Sequence, residues 1–392
     1  MNVLITGGTG FVGLNLAEAL LARGDRVALF GLEPPPPNAK PAFEKLPGKV
    51  IAALGDVRDE AALDRVFHEA EIDRVIHAAV ITAGQARERR DPKAVMDTNV
   101  MGTVAVLQAA QRHPVQRVVY LSSVAVYGEA NGRVDETTAP RGVSTPYAES
   151  KRAAEALCRE AAAGGLETVI LRPTLIYGPF GETWTVAYAT RLASGRWKTL
   201  GAAGEGRCNL LYVGDLIRAI QAALSAPVEP GRAFNVNGLE IPTWNQYFER
   251  FNALLTGRPL EAAGERRGRL AMLASRPVRT LGKHVLKHHR PLLIGLSARS
   301  PAIKSILKRT ESALRMVPTP DEARLFRLDA VYDIARAHNE LGFAPTTGLE
   351  RGLALSTAWL VQNGLVPPRV DAAPGYASCA PDPLGREIPL AS

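Results

Sequence analysis

Tyr147-Ala148-Glu149-Ser150-Lys151 sets a phenol and an ammonium four residues apart. On a helix that spacing places both on one face, one turn from each other. An ammonium beside a phenol stabilises the phenolate, so the tyrosine can give and take a proton in water near neutrality. Upstream, Leu121-Ser122-Ser123-Val124-Ala125-Val126-Tyr127-Gly128 closes an apolar run and offers a hydroxyl that can hold a substrate oxygen beside that phenol. Near the start, Gly7-Gly8-Thr9-Gly10-Phe11-Val12-Gly13 has glycines at 7, 10 and 13. The first permits a tight turn, the next lets the backbone approach a pyrophosphate, and the last allows close helix–strand packing. The helix that follows points its N-terminus at the phosphates. Thr9, Phe11 and Val12 sit between these glycines and complete the turn. A dinucleotide and a phenol acid/base together describe reversible hydride transfer at a secondary alcohol.

Further cofactor positions follow the next apolar runs. The residue closing the second run is Gly31, where an acid for the adenosine ribose would stand, and Glu33 lies two residues later. No Lys or Arg follows before Lys40 to hold a 2′-phosphate. NAD is therefore expected, with NADP as the alternative. Gly55-Asp56-Val57 places a carboxylate where it can accept from the adenine amino group, with Val57 against the ring; Asp56 could equally cap the next helix. In His77-Ala78-Ala79 the small residues let a cofactor lie against the backbone, whereas a lone histidine there is more often structural. Asn99 falls inside a helical segment, where a polar residue usually bonds the helix or faces water.

The elements needed to position these groups are legible as alternation. Apolar runs at Asn2–Thr6, Arg26–Phe30, Lys49–Leu54, Arg74–Ala78, Arg117–Ser122 and Glu167–Arg172 predict strands. Helical spacing predicts Phe11–Arg23, Asp59–Glu69, Val95–Gln111 and Tyr147–Ala163. Such alternation implies an α/β fold: a Rossmann-type, doubly wound parallel sheet. Beyond Pro173 the pattern loosens, with a helix at Val213–Ser225 and a strand at Ala233–Val236. The expected division is a cofactor domain over 1–172, to which 208–238 returns, and a smaller, mostly helical substrate region over 173–207 and 239–366. That region contains a basic insertion, 258–319, and a Pro-, Ala- and Gly-rich tail follows at 367–392.

Charge is unevenly spread. Of a net +8, twelve Lys and Arg lie between Arg266 and Arg309 with no Asp or Glu, leaving −4 on the rest. This argues against nucleic-acid binding by the whole protein. Basic residues mixed with Leu and Ile over 266–309 could instead meet an anionic membrane surface, or form a solvated insertion. His284 and His288 have helical spacing, but neighbouring lysines repel a cation, so no metal is expected. Cys158, Cys208 and Cys379 form no paired motif, which suits a reducing compartment. The N-terminus lacks the basic start of a signal peptide, and no apolar stretch approaches ~18 residues. A cytoplasmic protein with a small-molecule substrate is expected, with peripheral membrane contact and a homodimer as open alternatives.

The motifs TGGTGFVG, GDV, HAA, LSSVAVYG, YAESK and Leu171-Arg172-Pro173 occur in the order seen in the extended short-chain dehydrogenase/reductases, the NAD-dependent epimerase/dehydratase group. The resemblance is close over residues 1–180 and looser to about 240. It implies Ser123 as the catalytic serine, Tyr147 as acid/base and Lys151 as its partner, holding also the nicotinamide ribose. It further places Asn99, Ser122 and Pro173 at the cofactor. Sugar 4,6-dehydratases of this group carry Asp-Glu directly after the catalytic hydroxyl residue. Val124 and Ala125 stand there and cannot move protons, so dehydration is not expected. Many nucleotide-sugar members have an Arg before a Tyr-Val-Asp-Asp-like stretch. Aligned on Tyr212-Val213-Gly214-Asp215, Cys208 takes that place and Arg207 falls one residue early. Leu341-Gly342-Phe343-Ala344-Pro345 and Leu349-Glu350-Arg351-Gly352 resemble the ending of the hydroxysteroid dehydrogenase/isomerase branch, an ending widely shared. The expected function is an oxidoreductase or epimerase at a secondary alcohol of a sugar or nucleotide sugar. The alternatives are a dehydrogenase of a sterol-like alcohol and a catalytically idle, NAD-sensing regulator, against which the intact Ser-Tyr-Lys set argues.

Overall fold

A computed structural model describes residues 1–37, 39–82, 91–142, 144–262 and 317–368. The first half runs β1 (Asn2–Thr6), α1 (Phe11–Ala22), β2 (Arg26–Gly31), α2 (Ala39–Phe43), β3 (Lys49–Leu54), α3 (Glu60–Glu69) and β4 (Arg74–His77). It continues through α4 (Pro92–Met96), α5 (Gly102–Arg112), β5 (Arg117–Leu121), β6 (Gly132–Val134), α6 (Pro146–Ala163) and β7 (Thr168–Pro173). After β8 (Leu175–Tyr177) and α7 (Ala187–Ala193) come β9 (Leu210–Tyr212), α8 (Val213–Ser225), β10 (Arg232–Val236) and α9 (Trp244–Thr256). The last elements among the described residues are α10 (Pro320–Leu325), β11 (Ala330–Tyr332), α11 (Ala335–Leu341) and α12 (Leu349–Gln362).

Seven parallel strands form the main sheet in the order β10-β7-β5-β4-β1-β2-β3. Alternate residues of each strand enter opposite cores. Leu4, Phe30, Val75, Val118, Tyr120 and Ile170 pack on one face. Val3, Ile5, Leu29, Ile76, Val119 and Leu171 pack on the other. Burial on both faces explains why these strands read as continuous apolar runs. Each fully buried Val, Leu or Ile contributes roughly 1.5–3 kcal/mol. Strand order reverses between β1 and β4, so the loops after these two strands part and leave a crevice at their carboxyl ends. The glycine turn occupies one lip and Ala78-Ala79 the other.

Several local expectations change. Asp59, not Asp56, caps α3, its side chain accepting from Ala62 N at 3.1 Å. The helix expected over Val95–Gln111 is interrupted by a wide π-turn, Asp97–Met101, between α4 and α5. The mostly helical substrate region also contains short strands: β11 pairs in parallel with β6, and β8 with β9. Three-residue strands leave no periodicity to read. Most of the basic insertion, including all of 266–309, and the tail beyond Pro368 lie outside the described residues. Among the described residues no helix is long and apolar enough to cross a membrane.

Candidate active site

The glycine turn is built by steric necessity. Gly7 has φ +67°, and a Cβ there would lie 2.8 Å from Ala79 Cα, so this glycine lets the two lips of the crevice touch. A Cβ on Gly13 would meet Gly7 O, Gly8 Cα and Gly8 O, each at 2.6 Å. Gly10 differs: its Cβ would meet only Gly7 O, at 3.2 Å, and the space beyond opens into the crevice. It is the N-cap of α1 without a side-chain cap, so the helix presents uncapped backbone N–H groups there.

A single cavity of about 970 Å³ runs from this turn across the crevice. It is lined by Gly7, Thr9, Gly10, Phe11, Val12 and Gly13 at one end, with Glu33, Asp56 and Val57 beside them. Ala78, Ala79 and Pro173 continue the wall to Ser122, Ser123, Tyr147 and Lys151. Asp56 is held bidentately by Arg58, through Nε at 3.0 Å and Nη2 at 2.7 Å, and the same guanidinium reaches Asp97.

His77 and Asn99 are not among the residues that line this cavity. Both are buried one layer behind the wall. Thr103 Oγ1 donates to Asn99 O, so it accepts from His77 Nε2–H at 3.0 Å, and His77 Nδ1 then accepts from Thr6 Oγ1 at 2.7 Å. Thr6 Oγ1 in turn accepts from Ala79 N. Burial, aided by the charge of Lys151, pushes the His77 pKa down to about 3 and keeps the ring neutral. Asn99 Oδ1 accepts from Ile81 N at 2.8 Å, and its Nδ2 donates to Ile81 O and to Ser150 Oγ. These residues pin the loop after β4 to α6, a service only the tertiary contacts reveal.

α6 begins where Thr145 Oγ1 accepts from Ala148 N and Pro146 occupies the first turn. Its buried face carries Tyr147, Ser150, Lys151, Ala154, Glu155 and Cys158, a run of three- and four-residue steps. Lys151 Nζ donates to Leu121 O at 2.6 Å and stands 5.9 Å from the centre of the Tyr147 ring. Burial pushes the Lys151 pKa down to about 7, against the opposing charges of Cys158 and Glu155. Ser123 Oγ accepts from Ala125 N at 3.1 Å, capping the short turn Val124–Tyr127 and leaving its O–H as a donor on the cavity side. Ser122 turns the other way and donates to Glu155 Oε1 at 2.6 Å.

The far end of the cavity escaped the motif reading. Leu175, Ile176, Phe180, Trp184, Leu325 and Leu328 supply apolar surface. Phe180 is held at φ +66°, beside the 3.0 Å bond from Asn15 Nδ2 to Pro179 O, and packs 5.1 Å from the Trp359 ring. Arg207 reaches the cavity while Cys208 is fully buried. Arg324 lines the same end with Glu129, Glu182 and Asp321. Apart from Arg207, one residue off the place aligned on Tyr212-Val213-Gly214-Asp215, nothing in residue spacing marks these positions, which short strands and loops bring together.

A parallel doubly wound sheet with a glycine-lined crevice at its switch point defines a Rossmann-type dinucleotide-binding protein. Residues 3–237 match the family model for the NAD dependent epimerase/dehydratase family. The chain belongs to that family. It is 32% identical over 227 residues to the N-acetyl-alpha-D-glucosaminyl-diphospho-ditrans,octacis-undecaprenol 4-epimerase of Escherichia coli O157:H7, covering 57% of this chain and 63% of that one. Sterol demethylase protein B of Methylococcus capsulatus is 28% identical, over 93% of this chain and 100% of its own length. The UDP-glucose 4-epimerase of Thermus thermophilus, solved in complex with NAD, has 27% identity and a TM-score of 0.64, over 91% of this chain and 97% of that one. NAD is the family's cofactor. A dTDP-glucose 4,6-dehydratase from Streptomyces niveus is also 28% identical, over 61% of this chain and 73% of its length. Membership therefore does not support the expected exclusion of dehydration, which rests on Val124 and Ala125 alone.

Proposed function

We propose that the protein uses NAD to oxidise a secondary alcohol, with Tyr147 taking the hydroxyl proton. The observation that carries this is the presentation of Tyr147 and Lys151 by one face of α6 to the cavity shared with Ser123 and the glycine turn. Ser123 O–H holds the substrate oxygen, and the Lys151 ammonium stabilises the phenolate and takes the nicotinamide ribose hydroxyls. Thr9, Gly10, Phe11 and Val12 take the pyrophosphate, Glu33 the adenosine ribose, and Asp56 with Val57 the adenine. Bound NAD accepts the hydride. Residues 1–172 with 208–238 serve the cofactor, and 173–207 with 239–366 serve the substrate.

Between the two expected substrate classes, the far wall favours a bulky, apolar, sterol-like alcohol over a sugar or nucleotide sugar. Its arginines are already engaged: Arg207 Nε lies 3.2 Å from Asp329, and Arg324 Nε 3.5 Å from Glu129. With Glu182 and Asp321 nearby, the described lining residues leave no unpaired cation for a diphosphate at this end. The relative matched over its whole length, a sterol demethylase protein, supports the same reading. Purified protein is assayed at 340 nm with NAD and either a 3β-hydroxysterol or UDP-glucose. Sterol-dependent NADH formation is expected. Conversion of UDP-glucose to an epimer without net NADH would overturn the substrate reading, and inertness toward both would overturn the oxidoreductase reading for these classes.

A further inference from the structure

Glu155 and Arg172 form a buried ion pair to which the proton-transfer reading assigns no role. Glu155 lies on α6 one turn beyond Lys151, and Arg172 stands at the end of β7 immediately before Pro173. Arg172 Nε donates to Glu155 Oε1 at 2.8 Å and Nη2 donates to Oε2 at 2.7 Å; the two side chains are 9% and 3% exposed. Arg159 Nη2 adds a bond to Oε2 at 2.8 Å. Burial opposes ionisation of Glu155, yet Arg172, with Ser122 and Arg159, outweighs it and holds the carboxyl below its usual range.

Taking two charges out of water is costly, and apolar side chains could fill the same volume without that cost. What the pair does here that apolar residues could not is grip both ends of one short segment. Ser122 Oγ donates to Glu155 Oε1 at 2.6 Å. Arg172 Nη1 donates to Tyr127 Oη at 2.7 Å, and that hydroxyl donates to Asn235 Oδ1 at 2.6 Å. Ser122 and Tyr127 bracket the turn that begins at Ser123. We propose that the Glu155–Arg172 pair is the positioning device for Ser123, fastening both ends of the serine-bearing turn to the helix that carries Tyr147 and Lys151. The inference rests on the reading of Ser123 and Tyr147 as the groups that meet the substrate oxygen. Proton transfer needs hydrogen-bond reach of about 2.6–3.2 Å, and a misplacement of about 1 Å can cost ~10²-fold in rate.

Three variants test it: Ser122→Ala, Tyr127→Phe, and the apolar replacement Glu155→Met/Arg172→Met. Crystal structures with NAD give the Ser123 Oγ to Tyr147 Oη separation, and oxidation of a 3β-hydroxysterol gives kcat and KM. The expected result is a kcat lower by ~10-fold in each single variant and ~10²-fold in the double variant, with the KM for NAD little changed in Tyr127→Phe and in the double variant. The separation should shift by about 0.5 Å or more, while the double variant melts close to wild type because the apolar pair removes the desolvation cost. A folded double variant with unchanged separation and kcat would show the pair to be packing alone. If that variant does not fold, unchanged separations in Ser122→Ala and Tyr127→Phe overturn the proposal equally. Should wild type leave the sterol untouched, the substrate reading fails and the separation alone decides. Tyr147→Phe, run alongside, separates the readings further, since full turnover there removes the acid/base assignment without moving Ser123.

Discussion

Gly10 and Gly13 belong to one motif, yet the structure predicts that substituting them fails in different ways. Gly10→Val adds a side chain whose Cβ meets only Gly7 O, at 3.2 Å, on a residue with φ −87° and ψ 179° that any amino acid adopts. The protein loses a favourable N-cap, about 1 kcal/mol. The cofactor loses more, because the branched side chain occupies the pyrophosphate's space in front of the uncapped amides of α1. Charge-assisted hydrogen bonds of that kind contribute about 1.5–3 kcal/mol each. Losing two gives roughly 3–6 kcal/mol, or ~10²–10⁴-fold in Kd. Gly13→Ala instead drives a Cβ to 2.6 Å from three backbone atoms that no rotamer change can relieve. Overpacking costs typically 1–3 kcal/mol, and the rigid contact argues for the upper end. Helix propensity returns about 1 kcal/mol, leaving a net loss near 2 kcal/mol. Thermal melts without ligand and isothermal titration with NAD separate the two. Gly10→Val should melt within a few degrees of wild type and bind NAD at least ~10²-fold more weakly. A folded Gly10→Val that binds NAD within threefold of wild type would remove the pyrophosphate from this turn. A Gly13→Ala as stable as wild type would show the close packing to be wrong.

Tyr147→Phe should lower kcat at least ~10²-fold with NAD affinity little changed; near-normal turnover on any accepted alcohol would take Tyr147 out of the mechanism. Lys151, with its pKa pushed down to about 7 by burial, binds fewer protons folded than unfolded between about pH 7 and 10. Its contribution to stability therefore rises with pH across that window and is most unfavourable below 7. Lys151→Met should accordingly raise the melting temperature more at pH 6 than at pH 9, and an equal gain at both would contradict a buried, depressed ammonium. NAD should bind more tightly than NADP, since Glu33 lines the crevice without a basic neighbour among the lining residues at that end; titration with both cofactors would expose a reversed preference.

Much of the frame could be read from order and spacing. Glycines at 7, 10 and 13 after Asn2–Thr6, and Tyr147 with Lys151 four apart, pointed to a tight strand–helix turn and a shared helix face, because both are properties of one helix or one strand–helix joint. The fold brings the two to one cavity. His77 and Asn99 stood open between a structural and a cofactor role, and their side chains bond protein groups behind the cavity wall. A motif says that a polar residue is needed, not which side of the wall its side chain takes. His77 points between Thr6 and Thr103, and Asn99 toward Ile81 and Ser150, and each partner lies on another element.

Residue order was enough to specify the strand–helix alternation, the two-faced burial of the sheet and the glycine turn at its switch point, since these follow from local periodicity and from residue types with few alternative uses. The far end of the cavity is settled only by the folded chain. There β6 with β11 and β8 with β9 are ladders of three residues, too short for any period. They bring Tyr332 beside Tyr127, about 200 residues away in sequence. They also fix which carboxylates neutralise Arg207 and Arg324. Such pairings depend on charges meeting across loops, at distances along the chain over which sequence spacing carries no memory.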